Sequence, residues 1–153
     1  VQAGNLTALC VFAGSFMRPI GGHLADRFGG VRMLMTLYGI IGALAVAVSL
    51  MLPLALETVL LFTLMIALGL GNGSVFQLVP QRFAKQIGVV TGIIGAAGGL
   101  GGFFLPSALG YLKGSMGTFG AGFIGFAVGA VACIALMAIL HPLWRRAGWL
   151  AAG

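Results

Sequence analysis

The chain has 153 residues, of which 60% are hydrophobic and only 7% are charged. A soluble domain carries about a quarter charged residues, so this composition excludes a water-facing surface and indicates an integral membrane protein. The net charge of +6 does not indicate a nucleic-acid-binding protein, because the basic residues cluster at alternate ends of the apolar segments rather than in one patch.

Five apolar segments are long enough to cross the hydrocarbon core of a bilayer, which takes about 20 residues. We predict an all-α polytopic transmembrane bundle with helices over 3–24, 32–52, 58–81, 88–112 and 119–143. The connections at 25–31, 53–57, 82–87 and 113–118 are short, so consecutive helices are expected to run antiparallel. An odd number of crossings further predicts that one crossing precedes Val1.

Positive charge is distributed unevenly between the two sets of helix ends. One set carries six basic residues and the other carries Lys113 alone; the six are Arg27, Arg32, Arg82, Lys85, Arg145 and Arg146. Because cytoplasmic ends are enriched in lysine and arginine, this asymmetry predicts a multi-pass protein of the cytoplasmic membrane with its C-terminus in the cytoplasm. Trp144 and Trp149 beside the last two arginines are typical of an interfacial anchor.

Arg18 lies near the middle of the first segment. A guanidinium at bilayer depth is costly and needs an anion or a wet cavity. The chain has only two acidic residues: Asp26 is about 12 Å farther along a helix, and Glu57 belongs to another connection. We therefore predict that Arg18 binds a small anionic substrate. The plainer alternative is a structural arginine paired with a carboxylate or with carbonyl groups outside this chain.

The surroundings of Arg18 favour the substrate role. Gly14, Gly21 and Gly22 lie about one helical turn away, which predicts a hollow face around the guanidinium. Pro19 frees a backbone carbonyl one turn back, as in helices shaped around a cavity. The bidentate geometry of a guanidinium suits a planar oxyanion better than a lysine would.

The segment 21–30 reads Gly-Gly-His-Leu-Ala-Asp-Arg-Phe-Gly-Gly and resembles the G-x-x-x-D-R-x-G-G loop motif of the major facilitator superfamily. In that superfamily the loop joins the second and third helices of each six-helix half. The resemblance implies a conformational role in a cytoplasmic gate for Gly22, Asp26, Arg27 and Gly30. Mutation there is expected to change turnover more than affinity.

The third segment carries Asn72 within the run 69–80. Asn72 lies about 15 Å from the basic end of its helix, Arg18 about 12 Å and Gly98 and Gly99 about 17 Å. These residues therefore converge near the midplane, where transporter sites usually lie. We predict that Asn72 is a second substrate-binding residue, with interhelical hydrogen bonding as the alternative. Gln77, closer to the basic end, is predicted to be structural.

Glycines recur every three or four residues along the fourth segment. They are Gly88, Gly92, Gly95, Gly99 and Gly102. Close helix packing is the simple interpretation. The functional interpretation is that a helix face without side chains lets the fourth helix slide or bend against its neighbour during transport. This interpretation assigns conformational roles to Gly95, Gly98, Gly99 and Gly102. None of them is predicted to be a ligand.

Three stretches, 18–22, 69–80 and 92–106, narrow the resemblance. Together they resemble the C-terminal half of the nitrate/nitrite porter (NarK-type) family. The resemblance implies that residues 1–153 form a single transmembrane domain containing helices eight to twelve, without helix seven and without the N-terminal half. It also implies that Arg18 is the nitrate-binding arginine of this half, with a second arginine in the other half.

The resulting prediction is a transporter of nitrate, nitrite or both by alternating access, with the lipid bilayer and the missing half as its partners. A transporter of an organic carboxylate and a non-transporting membrane subunit are the alternatives. Neither an enzyme nor a cofactor is predicted, because no nucleophile–base pair and no Cys/His metal spacing occurs. No acidic residue lies inside a predicted span, so this chain offers no carboxylate proton carrier.

Overall fold

A computed structural model describes residues 2–146 and 148. These residues form five α-helices: α1 (Gln2–Phe28), α2 (Gly30–Ser49), α3 (Leu54–Arg82), α4 (Ile87–Met116) and α5 (Gly120–Arg146). A single-turn 3-10 helix, Ala84–Gln86, joins α3 to α4. No strand occurs in the described ranges, and the predicted all-α fold is confirmed.

Four of the five helices are long and apolar enough to cross a membrane. They are α2, α3, the stretch Ala84–Met116 that contains α4, and α5. Helix α1 has 27 residues but is not among them. Arg18 at its centre and the polar residues of its last turns lower its mean hydropathy. Helix α1 therefore depends on its neighbours to shield its polar groups from lipid.

The predicted connection at 25–31 is wrong. Helix α1 continues to Phe28 and α2 begins at Gly30, so Gly29 alone separates them. Gly29 has a φ of 85°, which glycine adopts without steric cost, and a single residue therefore reverses the chain. Consequently Asp26 and Arg27 lie on the last turn of α1, and Gly30 is the first residue of α2.

Helices α1 and α3 run parallel in very close contact. Gly14 lies against Met65 and Gly69, and Gly21 lies against Leu70. A Cβ added at Gly21 would collide with the backbone of Leu70, and one at Gly69 with the carbonyl of Gly14. Glycine at these positions therefore lets the two backbones touch, as is common between helices in lipid. Ser74 secures this contact, because its buried hydroxyl donates to the carbonyls of Gly21 at 3.2 Å and Leu70 at 2.9 Å.

Helices α2 and α5 form the second close pair and run antiparallel. Gly42 faces Ala130, and Ser49 faces Gly120. Ile41 of α2 also belongs to a buried cluster with Leu64 and Ala67 of α3. Helix α2 thus lies between the α1–α3 pair and α5. The packing of these four helices fixes the positions of their inward-facing residues along the helix axes.

Helix α4 lies at the periphery of the bundle and has no buried residue. A Cβ added at Gly95, Gly98, Gly99 or Gly102 would meet no atom within 4 Å in the described part of the chain. Close packing within this chain therefore does not explain the glycine face of α4.

Candidate anion-binding site

Four helices line an open cavity of about 510 Å³ that Arg18 borders. Helix α1 contributes Arg18, α2 contributes Tyr38, α3 contributes Asn72, and α4 contributes Gly95 and Gly98. The rest of the lining is apolar, and Arg18 is its one charged residue. A lone cation in an apolar wall interacts more strongly with an anion than it would in water.

A second cavity of about 360 Å³ adjoins the first on the side of α1 and α3. Arg18 and Asn72 line both cavities, and Gly22, His23 and Gln77 line the second one only. The structure therefore brings Arg18, Asn72 and Gly98 together in the lining of one cavity. Gly99 and Gly102 line neither cavity among those described here.

The backbone contact between α1 and α3 sets the position of Asn72 relative to Arg18. Gly73 lies directly against the carbonyl of Arg18, and a Cβ there would collide with it. Because Asn72 precedes Gly73, this contact fixes the backbone of Asn72 beside that of Arg18, and both residues line the same two cavities. The register of the α1–α3 pair thus builds this part of the site.

Arg18 has no anionic partner in the described part of the chain. Asp26 accepts hydrogen bonds from Gln77 at 2.8 Å and Gln81 at 2.9 Å. The carboxylate of Glu57 accepts one from the backbone N–H of Leu52, near the opposite end of α3. The guanidinium is exposed to the cavities and remains available to a ligand.

The expectation of a hollow face around Arg18 is correct for only one of its three glycines. Gly14 and Gly21 are buried against the backbone of α3, so no space remains beside them. Gly22 borders the second cavity, where the nearest atom to an added Cβ is the Gly73 carbonyl oxygen at 3.6 Å. The cavities arise from the spacing of the helices rather than from a groove in α1.

Asp26 is held by two amides of α3. Gln77 places its Nε2 within 2.8 and 2.9 Å of the two carboxylate oxygens, and Gln81 donates at 2.9 Å. The structural role predicted for Gln77 agrees with this contact. The sequence reasoning did not single out Gln81, although its spacing of four residues from Gln77 indicates a shared helix face. We call Asp26, Gln77 and Gln81 the Asp26 clamp.

Tyr38 is a further residue that the sequence reasoning missed. Its side chain lines the cavity that contains Arg18, and its hydroxyl lies beside the thiol of Cys133 on α5. The sequence feature that could have identified it is a tyrosine within an otherwise apolar span, because a buried tyrosine hydroxyl needs a hydrogen-bond partner. No group of three or more potential metal ligands occurs in the described ranges.

A bundle of apolar helices with an arginine facing cavities between the helices is typical of a polytopic membrane transporter. The sequence model of the Major Facilitator Superfamily matches residues 1–106, which is more than half of the chain. The chain therefore belongs to the Major Facilitator Superfamily and is a multi-pass membrane protein of a transporter family, not an enzyme. This confirms the resemblance inferred from the motif at 21–30.

Two similar curated proteins carry the same name. The chain is 39% identical over 141 residues to the "Probable nitrate transporter NarT" of Staphylococcus haemolyticus, covering 92% of the chain and 37% of that protein. It is also 39% identical over 155 residues to the protein of the same name from Staphylococcus aureus strain RF122, covering 100% of the chain and 39% of that protein. The chain thus spans about two fifths of the length of these relatives. No solved structure matches the chain.

Proposed function

We propose that the transporter containing this chain moves nitrate, and with it nitrite, across the cytoplasmic membrane by alternating access. The observation that carries the proposal is Arg18, which has no anionic partner among the described residues and lines two cavities that Asn72 also lines. The relatives named as probable nitrate transporters support the choice of substrate. A cation in an apolar lining suits a small anion, because the charge of the bound anion offsets that of the guanidinium.

The two polar side chains have different roles in this proposal. Arg18 donates parallel N–H bonds to two oxygens of the planar anion. Asn72 donates one amide N–H to an anion oxygen, which orients the anion. The apolar lining excludes water and strengthens both interactions.

The proposed domain organisation places this chain in the C-terminal half of a two-half transporter. The five helices would then be helices eight to twelve, and the other half would supply the opposite wall and a second arginine. The six basic helix ends face the cytoplasm in this proposal, so the C-terminus is cytoplasmic. The exposed glycine face of α4 would be the conformational surface, with Gly95, Gly98, Gly99 and Gly102 on it.

The Asp26 clamp is proposed as part of the cytoplasmic gate. It joins the last turn of α1 to the last turns of α3 beside Gly22, Arg27 and Gly30, which share this end of the bundle. A carboxylate that changes its donors between the two access states would bias the transport cycle.

The test is nitrate counterflow in proteoliposomes that contain the complete transporter. Saturable exchange of labelled nitrate, inhibited by unlabelled nitrite, is expected. Exchange of a small carboxylate without exchange of nitrate would instead identify an organic-anion transporter. The absence of exchange for every anion, together with a carboxylate partner crosslinked at position 18, would identify a non-transporting subunit.

Replacing Asn72 by alanine is expected to raise the apparent KM for nitrate about tenfold, since a hydrogen bond to a charged group is lost. The maximal rate should change less, because Arg18 still supplies the charge. Counterflow at several nitrate concentrations measures both quantities. Asn5→Ala, in an exposed position of α1, is the matched control. An unchanged KM in Asn72→Ala would favour the alternative role of Asn72, an interhelical hydrogen bond.

Replacing Gln77 and Gln81 together by alanine is expected to lower turnover about tenfold, because removing the donors of Asp26 shifts the balance between access states. The KM should change less, since neither amide is assigned to the anion. Initial counterflow rates at saturating nitrate measure the effect. Gln86→Ala, in the exposed 3-10 turn, is the control. A large change in KM with normal turnover would contradict a gating role.

A further inference from the structure

A basic pocket of about 390 Å³ lies at the end of the bundle where α1, α3 and α5 terminate and α2 begins. Four arginines line it, each from a different helix: Arg27, Arg32, Arg82 and Arg145. His141 of α5 completes the basic set. The pocket shares no residue with the two cavities around Arg18, so it is a separate feature of the molecule.

The positive charge of this pocket is only partly neutralised by the described part of the chain. Asp26 is the one carboxylate in the lining and stands against four arginines, and it accepts hydrogen bonds from Gln77 and Gln81. Gly30, Val31 and Arg32, the first residues of α2, also line the pocket, and Gly29 provides no side-chain cap for their amides. Uncapped first-turn amides favour an anion, whereas the C-terminal ends of α1, α3 and α5 oppose it, so the arginines supply the attraction.

An apolar groove of about 290 Å³ continues from the basic pocket. The two share Val31, Leu78 and Arg82. Deeper in the bundle the groove is lined by Leu34, Val75 and Ile94, residues that also line the cavity around Arg18. The groove therefore extends from the helix ends toward the level of the bilayer core, and its apolar lining suits a hydrocarbon chain.

Trp144 forms the wall of this groove on the side of α5. The sequence predicted it as an interfacial anchor, and its position in the groove agrees with a ring at the boundary between headgroups and hydrocarbon. Trp149, predicted for the same role, lies outside the described residues.

We propose that the basic pocket binds the phosphate of an anionic phospholipid and that the groove holds one of its acyl chains. Guanidinium groups bind phosphate oxygens bidentately, and basic pockets between transmembrane helices at the cytoplasmic side bind lipid headgroups. The lipid would link the ends of α1, α2, α3 and α5 next to the Asp26 clamp. This inference concerns a second site and does not depend on which anion is transported.

The first test counts bound lipid. The complete transporter is purified from membranes, exchanged into detergent with phosphatidylglycerol, and examined by native mass spectrometry. Retained phosphatidylglycerol is expected in the wild type and should fall about tenfold in the triple variant Arg32→Gln, Arg82→Gln, Arg145→Gln. The matched control is Lys85→Gln, Lys113→Gln, Arg146→Gln, which removes the same charge from residues outside the pocket lining. Equal retention in the two triple variants would overturn the site.

The second test requires no charge-changing variant. Phosphatidylglycerol with a photoreactive acyl chain is crosslinked to the wild-type protein, and labelled peptides are identified. Labels on α3 and α5 around Leu78 and Trp144 are expected, whereas uniform labelling of the helix surfaces would overturn the groove assignment. This readout also holds if the triple variant fails to fold.

The third test distinguishes a lipid from a soluble phosphate compound. Excess glycerol 3-phosphate should leave retained phosphatidylglycerol in place, and Trp144→Ala should lower retention by removing one wall of the groove. Displacement by glycerol 3-phosphate, with normal retention in Trp144→Ala, would assign the pocket to a soluble phosphate and overturn the lipid assignment. None of these readouts measures nitrate flux, so their failure is distinguishable from failure of the proposed transport function.

Discussion

Arg18→Lys is expected to lower nitrate counterflow by about ten- to a hundredfold, even though the positive charge is kept. Lysine offers a compact ammonium on a flexible stem and cannot form the two parallel bonds that a guanidinium makes to a planar anion. No other arginine or lysine lines the described cavities around Arg18, so no second guanidinium in this part of the chain replaces the lost one. Initial rates in proteoliposomes with matched amounts of reconstituted protein measure the effect.

The control for this substitution is Arg146→Lys, an exposed arginine at the end of α5 that lines none of these cavities. Both variants should show the thermal stability of the wild type. Equal flux in Arg18→Lys and the wild type would mean that charge alone is required. Unfolding of Arg18→Lys at a lower temperature than the wild type would instead indicate a structural role for Arg18.

Gly69→Ala is expected to destabilise the protein by about 1–3 kcal/mol or more, as overpacking does. The new Cβ would collide with the carbonyl of Gly14, a backbone atom that cannot rotate away. The two helices must then separate, which stretches the bond from Ser74 to the Gly21 carbonyl and shifts Asn72 relative to Arg18. Denaturation of the purified transporter in detergent measures the loss of stability, and counterflow measures the shift in the site.

Gly39→Ala is the matched control, because Gly39 is an exposed residue of α2 with no atom within 4 Å of an added Cβ. It makes the same chemical change inside an apolar helix and should leave both measurements near those of the wild type. Wild-type stability in Gly69→Ala would show that α1 and α3 do not approach as closely as in the structure described here.

Helix positions followed from the sequence because an apolar run of about 20 residues has few alternatives in a bilayer. The ends of the helices were less predictable. A loop was expected around Asp26. Instead, helix α1 continues with helical backbone hydrogen bonds to Phe28, and one glycine with a φ of 85° makes the turn. Local composition at 25–31 does not distinguish a flexible loop from two helices joined by a single left-handed glycine.

The candidate site was predictable in part. Depth along each helix placed Arg18 and Asn72 at one level, and both line the same cavities. Depth does not report which face of a helix turns inward, so Tyr38 was missed and Gly99 was included. The donors to Asp26 could not be deduced either, since Gln77 and Gln81 lie more than fifty residues away in sequence.

Composition and periodicity by themselves determined a polytopic helical membrane protein with one unpaired cation at bilayer depth, since lipid admits few ways to satisfy backbone and charge. Only the tertiary structure decided that the backbones of α1 and α3 lie in contact, and that four arginines from four helices surround one pocket. Those features depend on which faces of the helices pack against one another. The packing of glycine against a backbone distant in sequence selects these faces, and the local sequence does not.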